Sequence, residues 1–378
     1  MQIDKNIYIR GKGWQHEHLA ALDSSMSLLL FFCGSSFKNS PEIIDLHRAF
    51  PNTMVIGAST AGEILAGEIF DDSIVYTLIK FEKTQLKLAL NSDYLKAGIH
   101  QSGQAAADNL YDRNLKHVFL FSSGFNVNID EFILGFKKNA GRDVSMSGGL
   151  AGDGEAFKET WIYHDGFHEN AIAAIGLYGD AIEIHQGCEG GWLKFGLERR
   201  ITKAENNVLY EIDKQPALAS YKKYLGNLSE KLPASALLFP LAIRKNNQSS
   251  HVVRTILAVN EEDQSITFAG EIPNGWLASF MRCTNEGLID GAKQAAFQSL
   301  ATITGERLAI MVSCVGRRIV LGQGCFHELE AALSVIPKED LTIIGFYSYG
   351  EISEKPDVDS KLHNQTMTIT MVSEKMDE

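Results

Sequence analysis

The decapeptide 55-VIGASTAGEI-64 returns near the other end of the chain as 343-IIGFYSYGEI-352: Ile-Gly, four small, hydroxylic or aromatic residues, then Gly-Glu-Ile. A glycine that recurs at one place in a turn marks a chain reversal or a close backbone approach. What surrounds the two turns is also shared. Before the first come an apolar run, 28-LLLFFC-33, the segment 41-PEIIDLHRAF-50 with Ile43, Leu46 and Phe50 on one helical face behind a Ser40-Pro41 start, and 53-TMVIG-57. Before the second come 308-LAIMVSC-314, a glycine-bearing loop 315-VGRRIVLGQG-324, the helix 325-CFHELEAALSVI-336 with Phe326, Leu329, Leu333 and Ile336 on one side, and 341-LTIIG-345. Cys33 and Cys314 fall at matching places.

A diverged third copy runs from 118-VFLFSSG-124 through 129-IDEFILGFKKN-139 to 144-VSMSGGLAGDG-154. Each copy continues into an alternating segment that reads as a strand: 73-SIVYTLIKF-81, 160-TWIYHDGFHENAIAAIGLY-178 as a hairpin, and 365-QTMTITMV-372. The unit is strand-helix-strand-turn-strand. A right-handed crossover pairs its first two strands in parallel, and the tight turn adds an antiparallel partner. The expected fold is therefore α/β, with mixed sheets built from repeated units in two domains, 1–215 and 216–378, divided at the polar stretch 211-EIDKQP-216. Residues 181–307 are less regular, with helices at 216–228 and 286–300 and strands at 235–243, 251–260 and 265–270.

A chain of 378 residues exceeds one ordinary core, and its 45% hydrophobic and 22% charged residues suit a soluble globular protein. The net charge of −12, with no Lys/Arg run longer than a pair, speaks against nucleic acid as a partner. Apolar runs such as 26-MSLLLFFC-33 fall short of the ~20 residues of a membrane span, and the start carries no apolar secretory region, so the expected location is cytoplasmic, with five reduced cysteines.

The chemistry-bearing residues each carry a plain explanation beside a functional one. Gly62 needs only a turn. Glu63 and Glu351, each directly after a turn glycine, either cap the turn's own amides or hold a ligand's ammonium group. Cys33, Ser122 and Cys314 follow strands, but no nucleophile elbow G-x-S-x-G is present, so an enzyme using Cys314 or Ser348 is the minority alternative. In 148-GGLAGDG-154 the glycines invite a phosphate, yet a strand follows where a helix is required. His164 and His168 flank an Asp165-Gly166 hairpin turn and do not share a helical face, so no zinc site is indicated. One imidazole suffices for haem, and His327, His185 and His363 are the candidates, at most one of them a ligand. Phe346, Tyr347 and Tyr349 make the second turn a wall where Ala58, Ser59 and Ala61 leave space in the first. The polar candidates for a pocket at the strand ends are Ser59, Thr60, Glu63, Ser122, Arg282, Arg317, Tyr347, Ser348, Tyr349 and Glu351. Arg282 and Arg317 either face a ligand carboxylate or sit in structural ion pairs.

The turns, together with 147-SGGLAGDG-154, 191-GWLKFG-196, 213-DKQPALASYKKYLG-226, 238-LFPLAIR-244, 312-VSCVGRR-318 and 363-HNQTMT-368, give the chain a resemblance to the FIST proteins, with an N-terminal FIST domain and a FIST C domain. The resemblance implies a ligand-sensing module and no catalysis. Its ligands would be amino acids or other small metabolites, or, as in the NosP branch, haem b used to sense nitric oxide. It implies an output in trans, through a histidine kinase of a two-component pathway or a cyclic-di-GMP enzyme. No haem ligand is carried over from the family to a histidine of this chain.

Overall fold

In the computed structural model all residues are described except 93, 142, 233, 247–250, 301–304, 356–357 and 376–378. The three repeated units are present, each centred on two parallel strands. Ser27–Gly34 lies beside Met54–Thr60, Leu115–Ser122 beside Ser145–Leu150, and Arg307–Cys314 beside Leu341–Ser348. An antiparallel third strand closes each: Ser73–Lys80, Ile172–Tyr178 and Met367–Glu374. Outside it runs a fourth: Gln2–Ile9, Gln85–Asn91 and Ile182–Glu189.

The turn that ends each second strand does not return to its own sheet. The hairpin Glu63–Leu65/Glu68–Phe70 pairs with Leu341–Ser348 of the third unit. That unit's hairpin, Glu351–Lys355/Val358–His363, pairs with Ser145–Leu150 of the second. The second unit's hairpin, Ile162–Tyr163/Phe167–His168, pairs with Met54–Thr60 of the first. The exchange is cyclic, and it makes the three units one body.

Apolar alternation sends one face of every sheet inward. Leu30, Phe32 and Ile56 meet Phe119, Phe121 and Ile175, and both sets meet Ile310, Val312 and Phe346, all at most 2% exposed. The Phe32 and Phe346 rings are 4.4 Å apart. Helices cover the outer faces: Pro41–Ala49 on the first unit, Ile99–Leu110 and Ile129–Ala140 on the second, Phe326–Leu333 and Asn285–Gln298 on the third.

The helix pair on the second unit crosses at two glycines. A Cβ on Gly103 would lie 2.1 Å from the Phe132 carbonyl oxygen, and one on Gly135 2.1 Å from that of His100. This close approach sets His100 beside the first turn of Ile129–Ala140. Gly103→Ala is therefore expected to cost about 1–3 kcal/mol in urea unfolding through forced separation of the helices. Gly324→Ala, whose Cβ would meet only His327 at 3.7 Å, should stay within about 0.5 kcal/mol. Equal effects at the two positions would remove the packing argument.

The irregular middle forms an antiparallel sheet of its own, in which the long strand Leu193–Glu205 pairs with Leu277–Arg282 on one side and Val208–Ile212 on the other. The helix Ala217–Leu225 packs on it through Leu218 and Tyr221. The sequence boundary at 215/216 falls inside this sheet, since Gln215–Pro216 pairs with Val208–Ile212. Two details differ from the sequence reading. Residues 315–324, expected as a loop, form the helix Val315–Leu321 and a 3-10 turn, because Val315, Arg317 and Leu321 all bury while Gly322, at φ +55°, ends the helix. Residues 235–238, expected as strand, belong to a 3-10 turn that precedes the strand Leu241–Arg244.

Candidate ligand site

The recurring Gly-Glu corner proves to be a carboxylate cradle. Glu63 accepts from Thr60 Oγ1 at 2.6 Å on one oxygen and from Ser73 N and Oγ at 3.2 and 2.7 Å on the other. Glu351 accepts from Ser348 Oγ at 2.7 Å, and from Thr366 N and Oγ1 at 3.2 and 2.9 Å. A hydroxyl three residues back and the start of the third strand thus hold each glutamate. Both are buried, and burial outweighs these hydrogen bonds, raising the carboxyl pKa to about 7 at Glu63 and about 8 at Glu351. At the third corner Asp153 instead accepts from the amides of Phe157, Lys158 and Glu159 at 2.8–3.0 Å and from the Tyr349 hydroxyl.

The corners are interior. Ala61 N donates to Tyr347 O and Tyr347 N to Gly62 O, both at 2.8 Å, while Gly152 N donates to Ser59 O at 2.9 Å. The space expected beside Ala58, Ser59 and Ala61 is taken up: these residues are at most 2% exposed, and Arg318 reaches in to bond Ala61 O at 2.6 Å and Asp71 at 2.7 Å. Its guanidinium lies 5.0 Å from the centre of the Tyr347 ring. Ser59 Oγ accepts from Trp161 N, and Ser122 Oγ donates to Ser123 O. Arg317 is fully buried and meets a carboxylate of the protein itself: it pairs with Glu328 at 2.9 Å and donates to the carbonyls of Gly190 and Leu288 at 2.7 Å. Glu328 also accepts from Ser313 Oγ and Tyr347 Oη at 3.0 Å. Arg282 is exposed, over the Phe195 ring at 4.8 Å. Cys314 is buried and its thiol pKa is pushed well up by that burial and by Glu351, and Ser348 is engaged by Glu351.

Two clefts lie elsewhere. The larger, about 570 Å³, opens where helix Ile129–Ala140 faces the antiparallel sheet and the third unit's hairpin. Its apolar wall is Ile133, Leu134, Ile243, Val252, Pro273 and Trp276; its polar groups are His100, Asp130, Glu131, Lys137, Lys138, Arg254, Glu271, Ser360 and Lys361. At its base Arg254, 4% exposed, pairs with Asp130 at 2.9 Å and donates to Leu362 O at 2.9 Å and Glu271 O at 3.1 Å. Asp130 accepts in turn from Leu362 N at 2.8 Å. One buried ion pair therefore joins a helix, a sheet and an exchanged hairpin. His100 Nδ1 lies 3.2 Å from Glu131 Oε2, which leaves Nε2 as its second ring position. The Asn128 cap, accepting from Glu131 N, fixes the turn that carries both carboxylates. Burial, with Asp130 and Glu131 nearby, raises the Glu271 carboxyl pKa.

The second cleft, about 550 Å³, is lined by Trp192, Val253, His251, His363, and the carboxylates Glu189, Glu286 and Asp290, with no lysine or arginine among its lining residues. His363 is buried, with Nε2 3.2 Å from Ser353 O. His327 is exposed and bonds Glu330; His185 is partly buried on the strand Ile182–Glu189; neither lines a cleft described here. Of the residues singled out from the sequence, only His363 lines either cleft. The larger cleft escaped that reading, although two signals were present: the capped acidic start 128-NIDE-131 and an arginine set inside the apolar strand 251-HVVRTILAVN-260. Among the described residues no group of His, Cys, Asp and Glu is arranged to hold a metal ion on its own, and no helix is long and apolar enough to cross a membrane.

The body is a mixed-sheet α/β module with a cleft at the seam of its two halves. The chain belongs to the FIST family: the FIST N domain model matches residues 27–215 and the FIST C domain model residues 217–354. FIST domains are generally regarded as small-ligand sensory domains. The seam cleft takes His100 and helix Ile129–Ala140 from the first match and Ile243 to Trp276 from the second. The strand Met367–Glu374 lies beyond both matches yet completes the third unit. No curated protein matches the chain.

Proposed function

We propose that this chain is a non-catalytic small-ligand sensor that takes its ligand in the seam cleft and signals through a separate partner, a histidine kinase or cyclic-di-GMP enzyme. The observation that carries the reading is the Arg254–Asp130 joint at the base of the cleft, where both FIST domains and the exchanged hairpin meet. A ligand that competes for either charge acts on all three elements at once.

For the ligand itself the proposal is haem b, with nitric oxide as the signal. The donor set of the seam cleft suits it: an imidazole whose Nδ1 faces a carboxylate, apolar walls, and Lys138 and Lys361 to meet propionates, while Lys137 and Arg254 already pair with Glu354 and Asp130. The group would supply an iron centre for the diatomic gas; His100 would hold it and Trp276 and Leu134 would flank it. The second cleft suits haem poorly, since its three carboxylates come with no lysine or arginine to meet propionates. The mixed charges around Trp276 favour one further reading, a zwitterionic amino acid in the same cleft.

Absorption spectra of protein reconstituted with haem test this. Wild type should show a Soret band that shifts with nitric oxide, and His100→Ala should weaken haem retention at least about tenfold. No Soret band, together with a thermal shift on adding amino acids, would favour the zwitterion. Loss of the band in His363→Ala but not His100→Ala would place haem elsewhere.

A further inference from the structure

The long strand Leu193–Glu205 is covered unevenly. Residues 193–195 pair with 280–282 on one side, whereas pairing on the other side starts only at Ile201. Among the described residues no strand occupies that free edge. Along it the apolar row Leu193, Phe195 and Leu197 is 62%, 42% and 81% exposed; the Phe195 ring lies 5.5 Å from that of Tyr224, and Leu193 also lines the second cleft. Gly196, at φ +77°, and the register shift between Phe195 and Arg199 swing Leu197 out of the sheet.

The charge here runs against that of the whole. On a chain of net charge −12, the row is bordered by Lys194, Arg199, Arg200 and Arg282, with Glu198 within it; Glu189, Glu286 and Asp290 of the second cleft lie beyond its Leu193 end, so the cationic stretch is the Phe195–Leu197 part. Arg244 and Lys194 both pair with Glu198, the latter at 3.8 Å, and Arg199 pairs with Asp213 at 3.6 Å. Arg282, which faces Leu193 across the ladder and covers Phe195, makes no ion pair with any described residue. Exposed edges are normally blunted by charge or bulges, and both devices are present. Neither accounts for Leu193 and Leu197 standing more than half exposed on either side of Phe195.

We propose that this edge is a docking surface for an acidic, extended peptide segment of a separate protein. The segment would add beside Leu193–Phe195 through backbone hydrogen bonds, cover Leu197 with an apolar side chain, and bring carboxylates to Arg282 first and to the exposed Arg199 next to it. A second copy of this chain is a poorer occupant, because self-pairing of the edge would bring two cationic borders together.

The experiment uses the full chain and two fluorescein-labelled peptides with alternating valine or leucine, one bearing glutamate and the other lysine at the remaining positions. Fluorescence anisotropy should show the glutamate peptide binding at least about tenfold tighter, weakening as salt rises. Arg282→Glu and Leu197→Ser should each reduce that affinity several-fold, with unfolding midpoints unchanged. Equal binding of both peptides, or wild-type affinity in both variants, would overturn the proposal. So would sedimentation showing a dimer that Leu197→Ser dissolves, since the edge would then serve a second copy.

Discussion

Arg317→Met is expected to destabilise the chain by about 3–5 kcal/mol, seen as a lower urea midpoint at unchanged m. The substitution leaves Glu328 buried with its charge uncompensated, and it withdraws donors from the carbonyls of Gly190 and Leu288, which belong to different parts of the fold. Removing both charges in Arg317→Met/Glu328→Leu should recover part of the loss, because the second change removes the stranded carboxylate. Arg317→Lys should sit between, since one ammonium cannot reproduce a guanidinium that meets a carboxylate and two carbonyls on separate sides. A loss below about 1 kcal/mol for the single variant, or a double variant no better than the single, would show that the pair does not hold this corner.

Stability is expected to fall as pH rises from 6.5 to 8.5, by roughly 2–3 kcal/mol. Glu63 and Glu351 keep their protons in the folded chain up to about 7 and about 8, while the unfolded chain releases them near the ordinary value of 4.5. Between those limits the folded state binds more protons, so stability drops with increasing pH and levels off once both are ionised. Below 6.5 the trend is masked. Burial pushes the His117 pKa down to about 3, so this histidine stays neutral when folded and charges when unfolded, and stability lost by acidification there opposes the glutamates. The double variant Glu63→Gln/Glu351→Gln should flatten the curve between pH 6.5 and 8.5 and leave the acid limb in place. A wild-type curve already flat across that range would mean both cradles hold ionised carboxylates.

Much of the architecture was legible. The repeated turn, the periodicity of 41–50 and 129–139, and the apolar runs before them located the units, because burying one helical face or one strand face leaves a local pattern. The two glutamates were legible as residues needing partners, and a hydroxyl three residues before each supplies one. Arg317 was legible only as a charge with two possible partners, since Glu328 is close in sequence but Gly190 and Leu288 are not. The seam cleft was not legible: His100, Asp130, Arg254 and Lys361 come from four separate segments, and none of those segments carries a ligand motif alone.

The sequence by itself determined the units, their corners and the residue types each corner requires, because these depend on contacts within a few residues or across one crossover. Tertiary structure alone decided that each hairpin crosses to the next sheet, which turns the corners into core and moves the cleft to the seam. The reason is physical: a strand edge carries the same amide and carbonyl groups whichever sheet it joins, so its choice of partner rests on how the units pack.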